Sequence, residues 1–348
     1  MNNSIRLSGR MSEWRPYTPT TTARTPRLKL DTNECPSLLS IDELRSTFVD
    51  NWNRYPDLTP LRQAIARRLN IEDTRIAVTS GADDAIDRIC RALLDQDREM
   101  ITTSPTFEMI PRSARASGAR VRAVSWLDEA FPIQEILANT CERTGVIAVV
   151  SPNNPTGSVI SRADLIALSV SAPQAVILLD LAYIEFADID LTSLALSLPN
   201  IIITRTFSKA FGLAGLRVGF AAGDADLIRA VNSVGGPYPL TSPAIAAAKL
   251  ALEVSDTRLR NRIERVRVER NTLTQLLRAQ GTQVIDSQAN FVYVRSDRAL
   301  GARLTDFGIA VRTFGRDRTV EALRITCPCN ESDFRILLEA ITVQGSQS

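Results

Sequence analysis

Residues 175–221 read AVILLDLAYIEFADIDLTSLALSLPNIIITRTFSKAFGLAGLRVGFA. Three short apolar runs stand out, Ala175–Asp180, Ile201–Arg205 and Arg217–Ala221, each bounded by polar or Gly/Ala-rich chain. Runs of this length without polar alternation predict strands buried on both faces. Working outward, four more candidates precede them: Arg75–Thr79, Glu99–Thr103, Arg120–Val124 and Val146–Val150. Helical stretches separate the seven, which predicts an α/β unit with a mostly parallel seven-stranded sheet covered on both sides. After about Thr241 the pattern changes. A long helical stretch from Ser242 to Gln280 places Leu259, Ile263, Val266, Leu273 and Leu277 at near-heptad spacing. Strands near Asn290–Val294, Ile309–Arg312 and Ala322–Thr326, then a helix from Glu331 to Ile341, predict a smaller α+β unit. Proline and threonine crowd residues 16–26, which favours an extended N-terminal arm. The expected division is an arm and part of the small domain over 1–41, a large domain over 42–245, and a small C-terminal domain over 246–348.

Composition narrows the chemistry. The chain of 348 residues has 44% hydrophobic and 23% charged residues, with no apolar run of bilayer length. Neither a membrane protein nor a secretory signal is predicted, and the default compartment is the cytoplasm. A formal charge of +2, with basic residues scattered along the chain, argues against nucleic acid as a partner. There is no histidine, which excludes Ser-His-Asp and Cys-His nucleophile systems and histidine-ligated metals. Cys327-Pro328-Cys329 has no second pair to complete a zinc site, so no metal is expected. The only lysines are Lys29, Lys209 and Lys249, and any amine chemistry must use one of them.

In doubly wound sheets, ligands bind beyond the carboxyl ends of strands, where helix N-termini offer free N–H groups. The unusual polar residues gather there. Ser80-Gly81-Ala82-Asp83-Asp84 is a small-residue turn whose backbone could hold a phosphate, although such turns also serve simply to start helices. Ser151-Pro152-Asn153-Asn154-Pro155-Thr156-Gly157 either builds a turn or fixes an Asn amide as a donor to a phenolic oxygen. Asp180 ends a buried apolar run, an expensive place for a carboxylate unless it meets a cation such as a protonated pyridine nitrogen. Lys209 sits between Thr206, Ser208 and a Gly/Ala-rich turn, with Arg217 eight residues on. A buried amine suited to condense with an aldehyde accounts for that lysine better than a structural one.

These segments resemble the fold type I pyridoxal 5'-phosphate enzymes of the class I/II aminotransferase group, histidinol-phosphate aminotransferases in particular. The motifs run along nearly the whole chain: Pro16-Tyr17-Thr18-Pro19, Thr32-Asn33-Glu34-Cys35-Pro36, Arg54-Tyr55-Pro56-Asp57, Gly81-Ala82-Asp83, Ser104-Pro105-Thr106-Phe107, the Asn-Asn-Pro-Thr-Gly run, Asp180 with Tyr183, the lysine segment and Leu323-Arg324-Ile325-Thr326. The resemblance implies that Lys209 holds the cofactor aldehyde through its amine and shuttles the proton once substrate frees it. Asp180 would keep the ring nitrogen protonated, Asn154 and Tyr183 would bond the ring hydroxyl oxygen, and Phe107 would stack on the ring. Gly81, Ala82, Asp83, Ser208 and Arg217, assisted by Thr206, would bind the cofactor phosphate, and Tyr55 would reach the phosphate of a neighbouring subunit. A homodimer with shared sites is therefore expected. Arg324 would clamp a substrate carboxylate with Asn33 beside it. Tyr17 and Arg312 match positions that meet the far phosphate of histidinol phosphate.

The resemblance implies a small-molecule amino donor and a 2-oxo acid acceptor, with L-histidinol phosphate and 2-oxoglutarate as the leading pair. The chain departs from the pattern at Leu181, at Cys327-Pro328-Cys329-Asn330 and at Phe107, where relatives often carry Tyr. These departures keep two alternatives open: an aromatic amino acid aminotransferase, and a decarboxylase similar to those acting on threonine phosphate.

Overall fold

A computed structural model of the chain describes residues 25–48, 53–127, 130–316 and 320–342. Its strands, in chain order, are β1 (Leu28–Leu30), β2 (Ile76–Thr79), β3 (Glu99–Ser104), β4 (Arg120–Ser125), β5 (Thr144–Val150), β6 (Val176–Asp180), β7 (Ile201–Thr206), β8 (Gly219–Ala222), β9 (Gln283–Ile285), β10 (Phe291–Asp297), β11 (Ile309–Arg316) and β12 (Val320–Thr326). Seven form one sheet in the order β2-β8-β7-β6-β5-β3-β4. Pairing is parallel from β7 through β4, and β8 runs antiparallel to both of its neighbours.

The apolar runs behave as their composition predicts. Ile147, Val149, Ile177, Leu179, Ile201 and Ile203 face one core, while Val146, Ala148, Val150, Leu178 and Ile202 face the other. Successive residues of a strand point to opposite faces, so only a run apolar at every position can serve both cores. Each large side chain so buried contributes roughly 1.5–3 kcal/mol relative to exposure. Against that background Asp180, 3% exposed at the last position of β6, has to be explained by something other than packing.

The second sheet has the order β1-β11-β12-β10-β9. Two of its strands have no counterpart among those expected. β1 is three residues long and pairs in parallel with β11, Leu28 opposite Ile309, so its existence depends on a partner some 280 residues away. β9 is equally short and leans on β10. After the short helix Ala225–Ser233, the chain passes from β8 to β9 through a long helix, Ser242–Ala279, started by the Thr241 hydroxyl accepting from the Ala244 N–H and by a proline in its first turn. This helix passes through the division expected at 245/246. Among the described residues no helix is long and apolar enough to cross a membrane.

One strand begins later than the sequence suggests. Arg217 lies outside β8, in the left-handed region at φ 54°, after a 3-10 turn over Ala214–Leu216. The Gly/Ala-rich segment spends Arg217 on reversing the chain, and this carries its guanidinium back toward Gly81.

Candidate active site

A cavity of about 550 Å³ opens beyond the carboxyl ends of β5, β6 and β7 and is closed on its far side by β11 and β12. That volume is within the usual range for a small-molecule site. Each parallel strand delivers polar groups to it at its end: Asn154 after β5, Asp180 at the last position of β6, and Thr206, Ser208 and Lys209 at and after the end of β7.

Asp180 is held rigidly. Its Oδ1 accepts from the Thr204 hydroxyl at 2.8 Å and from the Ala182 N–H at 3.2 Å. Thr204 is its register partner on β7, so the bond follows from the parallel pairing itself. Burial pushes the carboxyl from 3.8 up to about 6, the Thr204 bond pulls it down, and the charge of Asp83 adds to the rise. A cation bonded to this carboxylate would reverse the rise.

Lys209 reaches the cavity from the turn after β7. Its Nζ donates to the Thr32 carbonyl at 2.8 Å and lies 5.8 Å from the centre of the Tyr183 ring. The Tyr183 hydroxyl accepts from Asn33 Nδ2 at 2.9 Å, and the ring is braced edge-on by Phe291. Asn33 adopts the left-handed conformation and is pinned by Thr326, whose hydroxyl accepts the Asn33 N–H at 3.2 Å. The segment after β1 is thereby tied across the lysine and the tyrosine. The other two lysines sit in exposed ion pairs, Lys29 with Glu34 at 3.7 Å and Lys249 with Glu253 at 3.8 Å.

At the opposite end of the cavity the turn between β2 and the helix Gly81–Leu93 meets Arg217. The Arg217 guanidinium pairs with Asp83 at 3.0 Å and donates to Ser208 Oγ at 3.3 Å, and Thr206 Oγ1 donates to Ser208 Oγ at 2.9 Å. The glycines here are needed for close approach. A Cβ on Gly81, at φ 79°, would lie 2.5 Å from an Arg217 nitrogen, and one on Gly219 would lie 2.4 Å from the Gly81 carbonyl carbon and 2.6 Å from the Ala82 nitrogen. Gly219→Ala therefore meets backbone that cannot swing aside. It is expected to destabilise the protein by about 1–3 kcal/mol and to weaken anion retention at the turn. Thermal melting and cofactor content after exhaustive dialysis check both effects.

β11 and β12 supply the remaining wall. Arg324, 6% exposed, donates to Asn154 Oδ1 and to the Asp31 carbonyl. Arg312 is its register partner and forms an ion pair with Glu108 at 3.6 Å. Phe314 lies between the arginines, each guanidinium carbon 5.8 Å from its ring centre. Phe107 lines the same cavity from the large-sheet side and packs against the second core.

Of the residues singled out from sequence, Asn33, Ala82, Asp83, Phe107, Asn154, Asp180, Tyr183, Thr206, Ser208, Lys209, Arg217, Arg312 and Arg324 line this one cavity, with Gly81 against Arg217. Tyr55 does not; it is 79% exposed and stacks on Tyr238 at 4.1 Å. Tyr17 lies outside the described residues. Sequence reading missed Thr204, the Thr32 carbonyl, Thr326, Glu108 and Phe314. Thr32 and Thr326 stood in the quoted motifs without an assigned role, and Thr204 carried a signal of its own as a polar residue following three isoleucines.

The groups fit a phosphorylated pyridine aldehyde: one rare lysine, a buried carboxylate that calls for a cation, and a narrow donor-rich turn with an arginine at the far end. The fold agrees. A histidinol-phosphate aminotransferase from Sinorhizobium meliloti, solved in complex with pyridoxal-5'-phosphate, superposes with a TM-score of 0.85 over 98% of each chain at 24% identity. The aminotransferase class I and II pattern matches residues 26–341. Fold, site and this match define a fold type I pyridoxal 5'-phosphate enzyme. The chain belongs to the class I and II aminotransferase family, as a pyridoxal-phosphate-dependent transaminase. An aromatic amino acid aminotransferase of Mycolicibacterium smegmatis is 34% identical over 90% of each chain. Histidinol-phosphate aminotransferase 1 of Pseudomonas aeruginosa is 32% identical over 94% of this chain and 95% of its own.

Proposed function

We propose that this transaminase exchanges an amino group between an aromatic amino acid and 2-oxoglutarate. The observation that carries the reading is the pairing of Arg312 with Glu108 at 3.6 Å, which sets a carboxylate of the chain against one of the arginines that line the cavity. Arg324 donates to two neutral oxygens, Asn154 Oδ1 and the Asp31 carbonyl, which orient its guanidinium. Such a wall suits a single carboxylate at Arg324 and an uncharged ring against Phe107 and Phe314. The name of the Mycolicibacterium smegmatis relative is consistent with this. The second reading, L-histidinol phosphate as donor, draws on the opposed placement of Arg312 and Arg324, which a doubly charged phosphate would bridge, and on the name of the Pseudomonas aeruginosa relative.

In the proposed site, the Lys209 amine would hold the cofactor and would carry the proton at the substrate Cα. Pyridoxal 5'-phosphate supplies the electron sink that makes that proton labile. Asp180 would keep the pyridine nitrogen protonated, Asn154 and Tyr183 would bond the ring hydroxyl oxygen, and Phe107 would cover the ring face. The N–H groups of the Gly81–Ala82–Asp83 turn, with Ser208, Thr206 and Arg217, would hold the phosphate. Arg324 and Asn33 would orient the substrate carboxylate, and Arg312 would meet its far end, the role the resemblance also implies for Tyr17. The large domain over 42–245 would carry the cofactor, with an arm and part of the small domain over 1–41 and a small C-terminal domain over 246–348. Tyr55 completes the phosphate site of a second copy in a cytoplasmic homodimer.

Absorbance of the lysine-bound cofactor tests the substrate. Phenylalanine and tyrosine are expected to bleach it, with the keto acid appearing in step. Conversion with histidinol phosphate and none with either aromatic amino acid would reverse the two readings. Arg324→Ala is expected to lower kcat/KM for every carboxylate substrate by about 10²-fold, the loss of a bidentate charge-assisted pair.

A further inference from the structure

An ion pair between Glu108 and Arg312 joins two sides of the cavity. Glu108 follows Phe107 directly after β3 and its loop, at the N-terminus of the helix Met109–Ala116, while Arg312 stands on β11 of the other sheet. Their side chains are unequally exposed, 47% for Glu108 and 15% for Arg312, so the carboxylate is the member that can swing into solvent. Arg312 is also the register partner of Arg324, and like charges directly opposed across an antiparallel pair repel. A carboxylate beside Arg312 relieves that repulsion when no second anion is bound.

We infer that Glu108 is a specificity-determining residue, a resident counter-ion that a substrate's distal anionic group must displace from Arg312. A donor with an uncharged side chain leaves the pair standing. One with a distal carboxylate or phosphate has to break it, because the incoming anion and Glu108 compete for one guanidinium and repel each other. The same pair need not open when the neutral side chain leaves as its keto acid, so the two half-reactions differ in whether Glu108 moves. This deepens the proposed substrate reading and rests on it. Glu108 touches neither the reacting carbon nor the amine; it acts on selectivity through Arg312.

The test is the ratio of kcat/KM values for glutamate and phenylalanine, measured with the cofactor-loaded enzyme and its Glu108→Gln variant, a change that keeps the shape of the side chain. Removing the competing charge is expected to raise the ratio about fivefold, the scale of one partly exposed ion pair. The rise should fall almost entirely in KM for glutamate and shrink as salt is added. Arg312→Gln should move the ratio the opposite way. An unchanged or lowered ratio in Glu108→Gln would overturn the inference. If the native enzyme fails to act on phenylalanine, the substrate reading falls instead, and the Glu108 effect is then read on KM for glutamate and histidinol phosphate, which should drop by the same factor.

Discussion

Lys209→Ala is expected to reduce turnover by about 10⁴-fold, the upper range for removing a positioned proton carrier, while leaving the cofactor bound at the phosphate turn. The same substitution at Lys29 or Lys249 should leave turnover near the native level, since both amines sit in exposed ion pairs and neither lines the cavity. The asymmetry follows from position. Lys209 Nζ is held by the Thr32 carbonyl on one side and faces the Tyr183 ring on the other, so it enters the cavity in a fixed direction. Single-turnover kinetics separate loss of proton transfer from loss of binding: the variant should bind amino acid and fail to convert it.

The second large effect is at Asp180, and it has two signs. Asp180→Asn removes the charge that would hold a proton on the pyridine nitrogen, and activity is expected to fall roughly 10²–10³-fold. In the cofactor-free protein the same change is expected to stabilise. The folded-state pKa is raised from 3.8 to about 6 by burial, so the folded chain binds this proton more tightly than the unfolded chain. Its contribution to stability is complete below pH 3.8 and is lost as the pH rises through about 6. The asparagine variant escapes that loss, and a shift of about two units corresponds to roughly 3 kcal/mol. Denaturant unfolding of the cofactor-free proteins should show no difference between native and variant at pH 3.5 and a gain for the variant at pH 8. Adding the cofactor should abolish that gain, because the ring nitrogen then supplies the cation that the carboxylate lacks.

These two residues were also the ones most legible in the sequence. A carboxylate ending a five-residue apolar strand contradicts its own surroundings, and one lysine among three in a histidine-free chain narrows the choice of amine sharply. The seven strands were legible for a related reason: β5, β6 and β7 serve two cores at once, and nothing but an unbroken apolar run can do so. What stayed hidden is structure made by distant partners. β1 is three residues of ordinary composition whose strand character comes from β11. The Asn33–Tyr183 bond spans 150 residues and depends on a left-handed asparagine fixed by Thr326. Arg217 read as the start of a strand because Val218 and Phe220 follow it, yet its backbone is used for the turn that aims its guanidinium at Gly81. Glu108 had no mark at all in the sequence; only the approach of β11 gives it a partner.

The most direct measurement is to reduce the cofactor-loaded enzyme with borohydride, digest it, and locate the pyridoxyl group by peptide mass mapping. The predicted result is a single modified peptide carrying the group on Lys209. Modification of Lys29 or Lys249, or a fully loaded protein with no modified lysine, would contradict the proposed site.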